Sequence, residues 1–173
     1  MATNKKTKKK SRAKKHTQIE DVSFFGNLTR MAPAGLYVYA KDFLNSSKSI
    51  SKTESSFSPS LNYLVLRSIE LSLKAFLSCS GYSLEKLSGG ILGHDLGALL
   101  DECEKHFISV ISDLKQEHKN EIRFGSEYYV EKVFEYPAIG EAVRAYPKAP
   151  DVSILIEAAE VLVKYIKEPC LKA

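Results

Sequence analysis

The stretch LRSIELSLKAFL, residues 66 to 77, limits the fold more than any other part of this chain. Leu61, Leu64, Val65, Ile69, Leu73, Phe76 and Leu77 recur at spacings of three and four, while Leu66 and Leu71 add apolar surface on the remaining sides. Ser58 as N-cap and Pro59 in the first turn start this helix, and it stops near Cys79 before Gly81. A helix apolar nearly all round belongs at the centre of a bundle. Yet Arg67, Glu70 and Lys74 share one of its faces, with Tyr63 and Ser78 extending that polar stripe. On a solvated face the Glu70–Lys74 pair adds only about 0.2 to 0.5 kcal/mol. Buried, each ion costs several kcal/mol unless paired and hydrogen-bonded, so the charges then require a structural network or a ligand. The residues alone leave the solvated face, the buried network and the binding site open.

Similar periodicity places the other helices. Pro33 opens the first, and Leu36, Tyr39, Ala40, Phe43, Leu44 and Ser47 keep one face to about residue 48. The Ser-rich connection NSSKSISKTESSFSPS reads as mobile. In GYSLEKLSGGILGHDL, Gly81, Gly89, Gly90 and Gly93 mark a compact turn region with at most one short helix after Ser83. Asp95 caps a third pattern, in which Leu96, Leu99, Leu100, Cys103, Phe107, Val110, Ile111 and Leu114 hold phase to about residue 120, with a break predicted near His106. SEYYVEKVFEYP, from residue 126, is rich in aromatic and β-branched residues and reads as extended, with Tyr-Pro steps at 136 and 146. Asp151 caps a last helix, where Leu155, Ala159, Leu162, Val163 and Ile166 repeat until Pro169. No internal repeat of solenoid period is present. The expected architecture is all-α: an antiparallel helical bundle of four to five helices with at most a small β element.

The formal charge of +4 conceals two parts. Lys5, Lys6, Lys8, Lys9, Lys10, Arg12, Lys14 and Lys15 stand among the first 15 residues without one acid, and the rest of the chain holds 17 basic against 21 acidic residues. A lysine block of this density cannot bury enough apolar surface to offset its ordering entropy, so residues 1–18 are expected to be a disordered basic tail and residues 19–173 the helical bundle. Such a tail binds polyanions through counterion release, without sequence preference. No apolar segment follows the lysines as a secretory signal would require, and none reaches the ~20 residues of a membrane span, so a soluble cytoplasmic protein is expected. Cys79, Cys103 and Cys170 are odd in number, far apart in the chain and without a CxxC pair, and read as reduced thiols rather than a disulfide framework.

Chemical motifs are sparse. His94, His106 and His118 recur every 12 residues, a third of a helical turn out of phase, and no HxxxH or HExxH spacing exists, so no metal is expected. There is no Walker-type loop, GxGxxG or GxSxG, and no cofactor is expected. Cys103 with His106 reads as a core thiol beside a surface histidine rather than a nucleophile and its base. His94, just before a helix start at Asp95, reads first as a turn-fixing residue.

Taken together, LNYLVLRSIELSLKAFLSCSGYS, GHDLGALLDEC, IRFGSEYY and the final amphipathic helix resemble the HEPN domain superfamily over about residues 31 to 168. These are small α-helical bundles found chiefly in prokaryotic toxin, defence and RNA-processing proteins. The resemblance implies that Glu70, Lys74, His94 and Asp95 are signature positions, with Glu70 and Lys74 tied to the His94 turn in a polar network. It implies a homodimer with a cleft between protomers, engaging RNA or a nucleotide, or a protein partner such as a cognate antitoxin or nucleotidyltransferase. Many members are metal-independent ribonucleases that use an Arg, a polar residue and a His four to six positions after the Arg. Here Arg123 and Arg144 are followed by no histidine, and Arg67 by none before His94; Phe124 stands where the family has Tyr. The expected function is therefore non-catalytic binding, and the alternative is an endoribonuclease with a rearranged site drawn from His94, Arg123 and Arg67.

Overall fold

The computed structural model describes residues 33–53, 57–106, 113–136 and 148–172. Among them are six α-helices and no strand: α1 (Pro33–Ser51), α2 (Pro59–Cys79), the short α3 (Leu84–Ser88), α4 (Leu96–His106), α5 (Gln116–Val130) and α6 (Val152–Lys172), with a 3₁₀ turn at Gly90–Leu92 before α4. The lysine-rich tail, Arg144, Tyr146 and the core candidates Phe107, Val110 and Ile111 lie outside the described residues.

α2 is the central element. It packs against α1, α3, α4, α5 and α6, and every residue from Ser68 to Leu77 is buried. Leu66, Ile69, Leu73, Phe76 and Leu77 are closed to solvent on all sides, each contributing roughly 1.5–3 kcal/mol over an exposed position. Its ends form as the sequence dictates. Ser58 Oγ accepts a hydrogen bond from Leu61 N at 3.3 Å, with Pro59 in the first turn. At the other end Gly81, at φ +86, lets Tyr82 N reach Leu77 O and so closes the last carbonyls.

Around α2 the structure follows the predicted periodicity, with four differences. In α1, Tyr39 faces outward and Tyr37 takes the core position beside Leu36, Ala40 and Leu44. The aromatic stretch at 126 is not extended: Ser126–Val130 form the last turns of α5. His118, Ile122, Gly125, Ser126 and Tyr129 fall on one face, which packs inward, so tertiary contact outweighs the β preference of the tyrosines. Gly125 permits this approach, since a Cβ there would lie 2.7 Å from Leu66 Cδ2. α6 continues through Pro169 to Lys172, because the hydrogen bond lost at proline belongs to the final turn, where Cys170 is buried. The helix count among the described residues is six rather than four to five, since α3 adds a separate single-turn element. A break separates α4 from α5, but the described non-helical residues are Asp113–Lys115, before α5 starts anew at Gln116; the residues directly after His106 lie outside the described ones. No described helix is long and apolar enough to cross a membrane.

Candidate functional site

The helical period of α2 stacks Arg67, Glu70 and Lys74 on one face, and two other elements close over it: the turn before α4 and the last turn of α5. The Glu70 carboxylate is fully buried. Its Oε1 accepts from Lys74 Nζ at 2.7 Å and lies 3.3 Å from His94 Nδ1. Its Oε2 accepts from Arg67 Nη1 at 2.6 Å and from the Tyr129 hydroxyl at 2.5 Å. Lys74 Nζ also donates to the Gly93 carbonyl at 2.5 Å, fastening the turn to α2. The charges on this helix thus face inward and meet one another.

Burial pushes the Glu70 carboxyl up, but Arg67 and Lys74 together hold it below the usual carboxylate range. For Arg67, burial opposes the charge and is outweighed by Glu70 and Tyr129, which raise the guanidinium above its ordinary value. Burial, reinforced by the Glu70 charge, raises the Tyr129 phenol well above its ordinary value and keeps it a donor. Two cations facing one carboxylate leave the cluster with an excess positive charge. That excess reaches solvent through Arg67, which keeps 29% of its side-chain surface exposed, beside the 59% exposed side chain of His94.

They open onto a cavity of about 230 Å³ that Tyr63, Arg67, His94, Tyr129, Lys132 and Glu135 line. This is smaller than the roughly 300–1,000 Å³ of sites that enclose a drug-sized ligand, and suits one charged group or one ring. The Tyr63 and Tyr129 rings lie 6.0 Å apart, and His94 meets Tyr129 edge-on at 6.3 Å. Lys132 stands at the end of α5 with φ 56, where a helix terminus ordinarily takes glycine; Val133 N donates to Tyr128 O across it.

The remaining candidates go elsewhere. Asp95 does not reach Glu70: its Oδ1 accepts from Ala98 N at 3.0 Å and from Ser126 Oγ at 3.2 Å, while Ser126 Oγ accepts from Leu96 N at 2.9 Å, joining the start of α4 to α5. Arg123 pairs with Asp101, lies 3.7 Å from Glu104, and lines a neighbouring cavity with Asp95. So the rearranged trio is not assembled: Arg67 and His94 share a cavity and Arg123 stands outside it. The three histidines are also separate, with His106 against the Tyr82 hydroxyl and His118 buried beside Glu157. Among the described residues the single group with metal-ligand proximity is Glu117, His118 and Glu157, a set that the histidine spacing alone could not disclose. Lys115 already supplies a cation there, 3.2 Å from Glu117 and 3.6 Å from Glu157. Cys103 is buried and its thiol donates to Leu73 O at 3.5 Å, away from His106.

Tyr129 and Lys132 are the site residues that sequence reasoning missed. A helical signal was available, since Tyr129 follows His118, Ile122 and Gly125 at spacings of four, three and four. Lys132 has no comparable signal, because its importance comes from a backbone conformation. Compared with known proteins, the chain matches no family model, no curated protein and no solved structure.

Proposed function

We propose that this chain is a non-catalytic, HEPN-like binding protein that acts as a homodimer and takes an anionic group of RNA or of a nucleotide at the Arg67–His94 cavity. One observation carries the reading: Arg67 and Lys132 border the same small cavity as the exposed imidazole of His94 and the Tyr63 and Tyr129 rings. Cations beside aromatic faces at a cavity of this size suit a single phosphate of such a ligand. The buried Glu70 holds Arg67 in place, so little side-chain freedom is lost on binding. Val130, 47% exposed at the rim of this and the neighbouring cavity, is apolar surface that a second copy would cover. The lysine-rich tail adds affinity that ignores sequence.

Titration with a short fluorescent single-stranded RNA tests both parts. Arg67→Met is expected to weaken binding at least tenfold while the protein stays folded, since Lys74 and Tyr129 still satisfy Glu70. Deleting residues 1–15 is expected to flatten the salt dependence by a slope of roughly 3. Equal affinity in Arg67→Met removes the cavity from the proposal, and equal salt dependence without the tail removes the tail.

A second reading, a metal-independent ribonuclease, is favoured by the 3.3 Å approach of His94 Nδ1 to Glu70 Oε1. A carboxylate facing one ring nitrogen is the arrangement that orients an imidazole as a general base. It requires RNA cleavage in excess EDTA that His94→Ala abolishes at unchanged thermal stability. Intact RNA across varied substrates ends it.

A further inference from the structure

Two of the three cysteines, 91 positions apart in the chain, meet. Cys79 Sγ and Cys170 Sγ lie 3.6 Å apart, where the C-terminal end of α2 touches the last turn of α6. Nothing in their spacing shows this, because the contact arises from the packing of two long helices. Cys170 is 1% exposed, whereas Cys79 is partly open to solvent. We infer that Cys79 and Cys170 form a reversible oxidation site, a thiol pair that a peroxide converts to an intramolecular disulfide.

A disulfide needs its sulfurs at about 2.05 Å, so one partner must advance by roughly 1.5 Å. The geometry allows it at both sides. Cys170 follows Pro169, which has no N–H to hold the final turn to the rest of α6, and the neighbouring Leu171 side chain is exposed and holds nothing down. Cys79 is the last residue of α2, followed by Ser80 and by Gly81 at φ +86, so small backbone adjustments are confined to the helix end. Cys103 has no such partner within the described residues; it is buried against Leu73 O.

The more accessible Cys79 thiolate attacks a peroxide oxygen; the O–O bond breaks, one water leaves after protonation, and Cys79 becomes a sulfenic acid. Cys170 sulfur then attacks the Cys79 sulfur, the S–O bond breaks, and a second water carries away the hydroxyl and the thiol proton. Two thiols and one hydrogen peroxide give one disulfide and two waters, the thiols being oxidised and the peroxide reduced. Burial raises both thiols above their ordinary value, so the reaction is slow near neutrality and accelerates as pH rises and thiolate forms. A dithiol reductant reverses it.

The bridge would staple α6 to the helix that carries Arg67 and Glu70, closing a 91-residue loop. In the chain-entropy picture a loop of that length raises Tm by roughly 10 °C for a chain of this size. The test treats the full chain with hydrogen peroxide, blocks remaining thiols under denaturing conditions and maps the peptides by mass. The expected product is one peptide pair holding Cys79 and Cys170, about two mass units below the sum of its reduced parts, with Cys103 blocked as a free thiol, a higher Tm, and full return after dithiothreitol. Cys170→Ser should instead stop at a Cys79 sulfenic acid that a carbon nucleophile traps. A sulfinic or sulfonic acid on Cys79 with Cys170 still free, a bridge between two chains, a bridge to Cys103, or no reaction even at alkaline pH where free cysteine is oxidised would each overturn the assignment.

Discussion

The protein gathers a glutamate, a tyrosine, a lysine and a histidine twice, once inside and once towards the outside. Glu70 gathers a tyrosine hydroxyl, a lysine on its own helix and a histidine, along with Arg67. On α4, Glu102 does likewise: it accepts from Tyr82 and, at 2.6 Å, from Lys105, while His106 lies 2.8 Å from the Tyr82 hydroxyl. The difference is burial, since the Glu70 side chain is closed to water whereas Glu102 keeps 20% of its side-chain surface exposed and its partner Lys105 keeps 65%. Water screens the outer set and can replace any lost partner, so its members act almost independently. Inside, each group depends on the others, because a buried ion left alone costs several kcal/mol. The inner cluster is therefore both a strut and a fixed mount for the three side chains that reach the cavity, Arg67, His94 and Tyr129, whereas the outer one is neither.

Removing the central carboxylate charge separates the two most sharply. Glu70→Gln leaves buried Lys74 and part-buried Arg67 without a counter-ion and is expected to lower the unfolding free energy by about 3 kcal/mol. Glu102→Gln should leave the denaturation midpoint unchanged within error. Urea titrations of both variants decide it, and equal, small effects would show that water reaches Glu70 after all.

Acid provides the next test. Lys105 and Tyr82 hold the Glu102 carboxyl down to about 2, but that shift arises at a group that solvent still reaches and fades with salt. Glu70 is also held below its unfolded value, by Arg67 and Lys74 against burial. A depressed carboxylate contributes stability that is present above the unfolded value, about pH 4.3, and is lost as pH falls through the folded one. The wild-type protein should thus lose stability below about pH 4 more steeply than Glu70→Gln, and 0.5 M salt should not remove that difference. A parallel pair of curves would place Glu70 in water.

The tyrosines give a smaller contrast. Tyr129→Phe deletes one donor to a carboxylate that keeps Arg67 and Lys74, at an expected cost of about 1–3 kcal/mol. Because the Tyr129 phenol is raised in the fold, its contribution is present below about pH 10 and lost as pH climbs beyond it, so Tyr129→Phe should also flatten the alkaline limb. Tyr82→Phe should do neither at moderate salt.

How much of this the residues could foretell depended on whether the information was periodic. α2 was legible from end to end, since Ser58, Pro59, its apolar spacing and Gly81 each act locally. Arg67, Glu70 and Lys74 were legible as one stripe, and the family resemblance pointed to the His94 turn. Periodicity could not say whether the stripe faces in or out, because a helix apolar on every side offers no outer face to reason from. Tyr129 was hidden by its β-forming neighbours, whose local preference is overruled by packing of α5 on Leu66. The contacts of Asp95 with Ser126 and of Cys79 with Cys170 join residues 31 and 91 apart, which no local pattern encodes.

The smallest expected effect concerns the further lysine beside each tyrosine. Lys86 lies 3.9 Å over the Tyr82 ring on the surface, and Lys132 borders the cavity beside Tyr129 at φ 56. A non-glycine residue in that left-handed conformation costs about 1 kcal/mol, and α2 shows the relaxed version of the same helix end, with Gly81 at φ +86. Lys132→Gly should therefore stabilise the fold by roughly 0.5–1 kcal/mol while weakening RNA or nucleotide binding several-fold. Lys86→Ala should change neither. Because stability and affinity move in opposite directions, loss of fold cannot mimic loss of the binding cation. If Lys132→Gly stabilises the chain and binds as tightly as before, the strained lysine has no part in anion capture, and the cavity would have to hold its ligand through Arg67 and the aromatic rings alone.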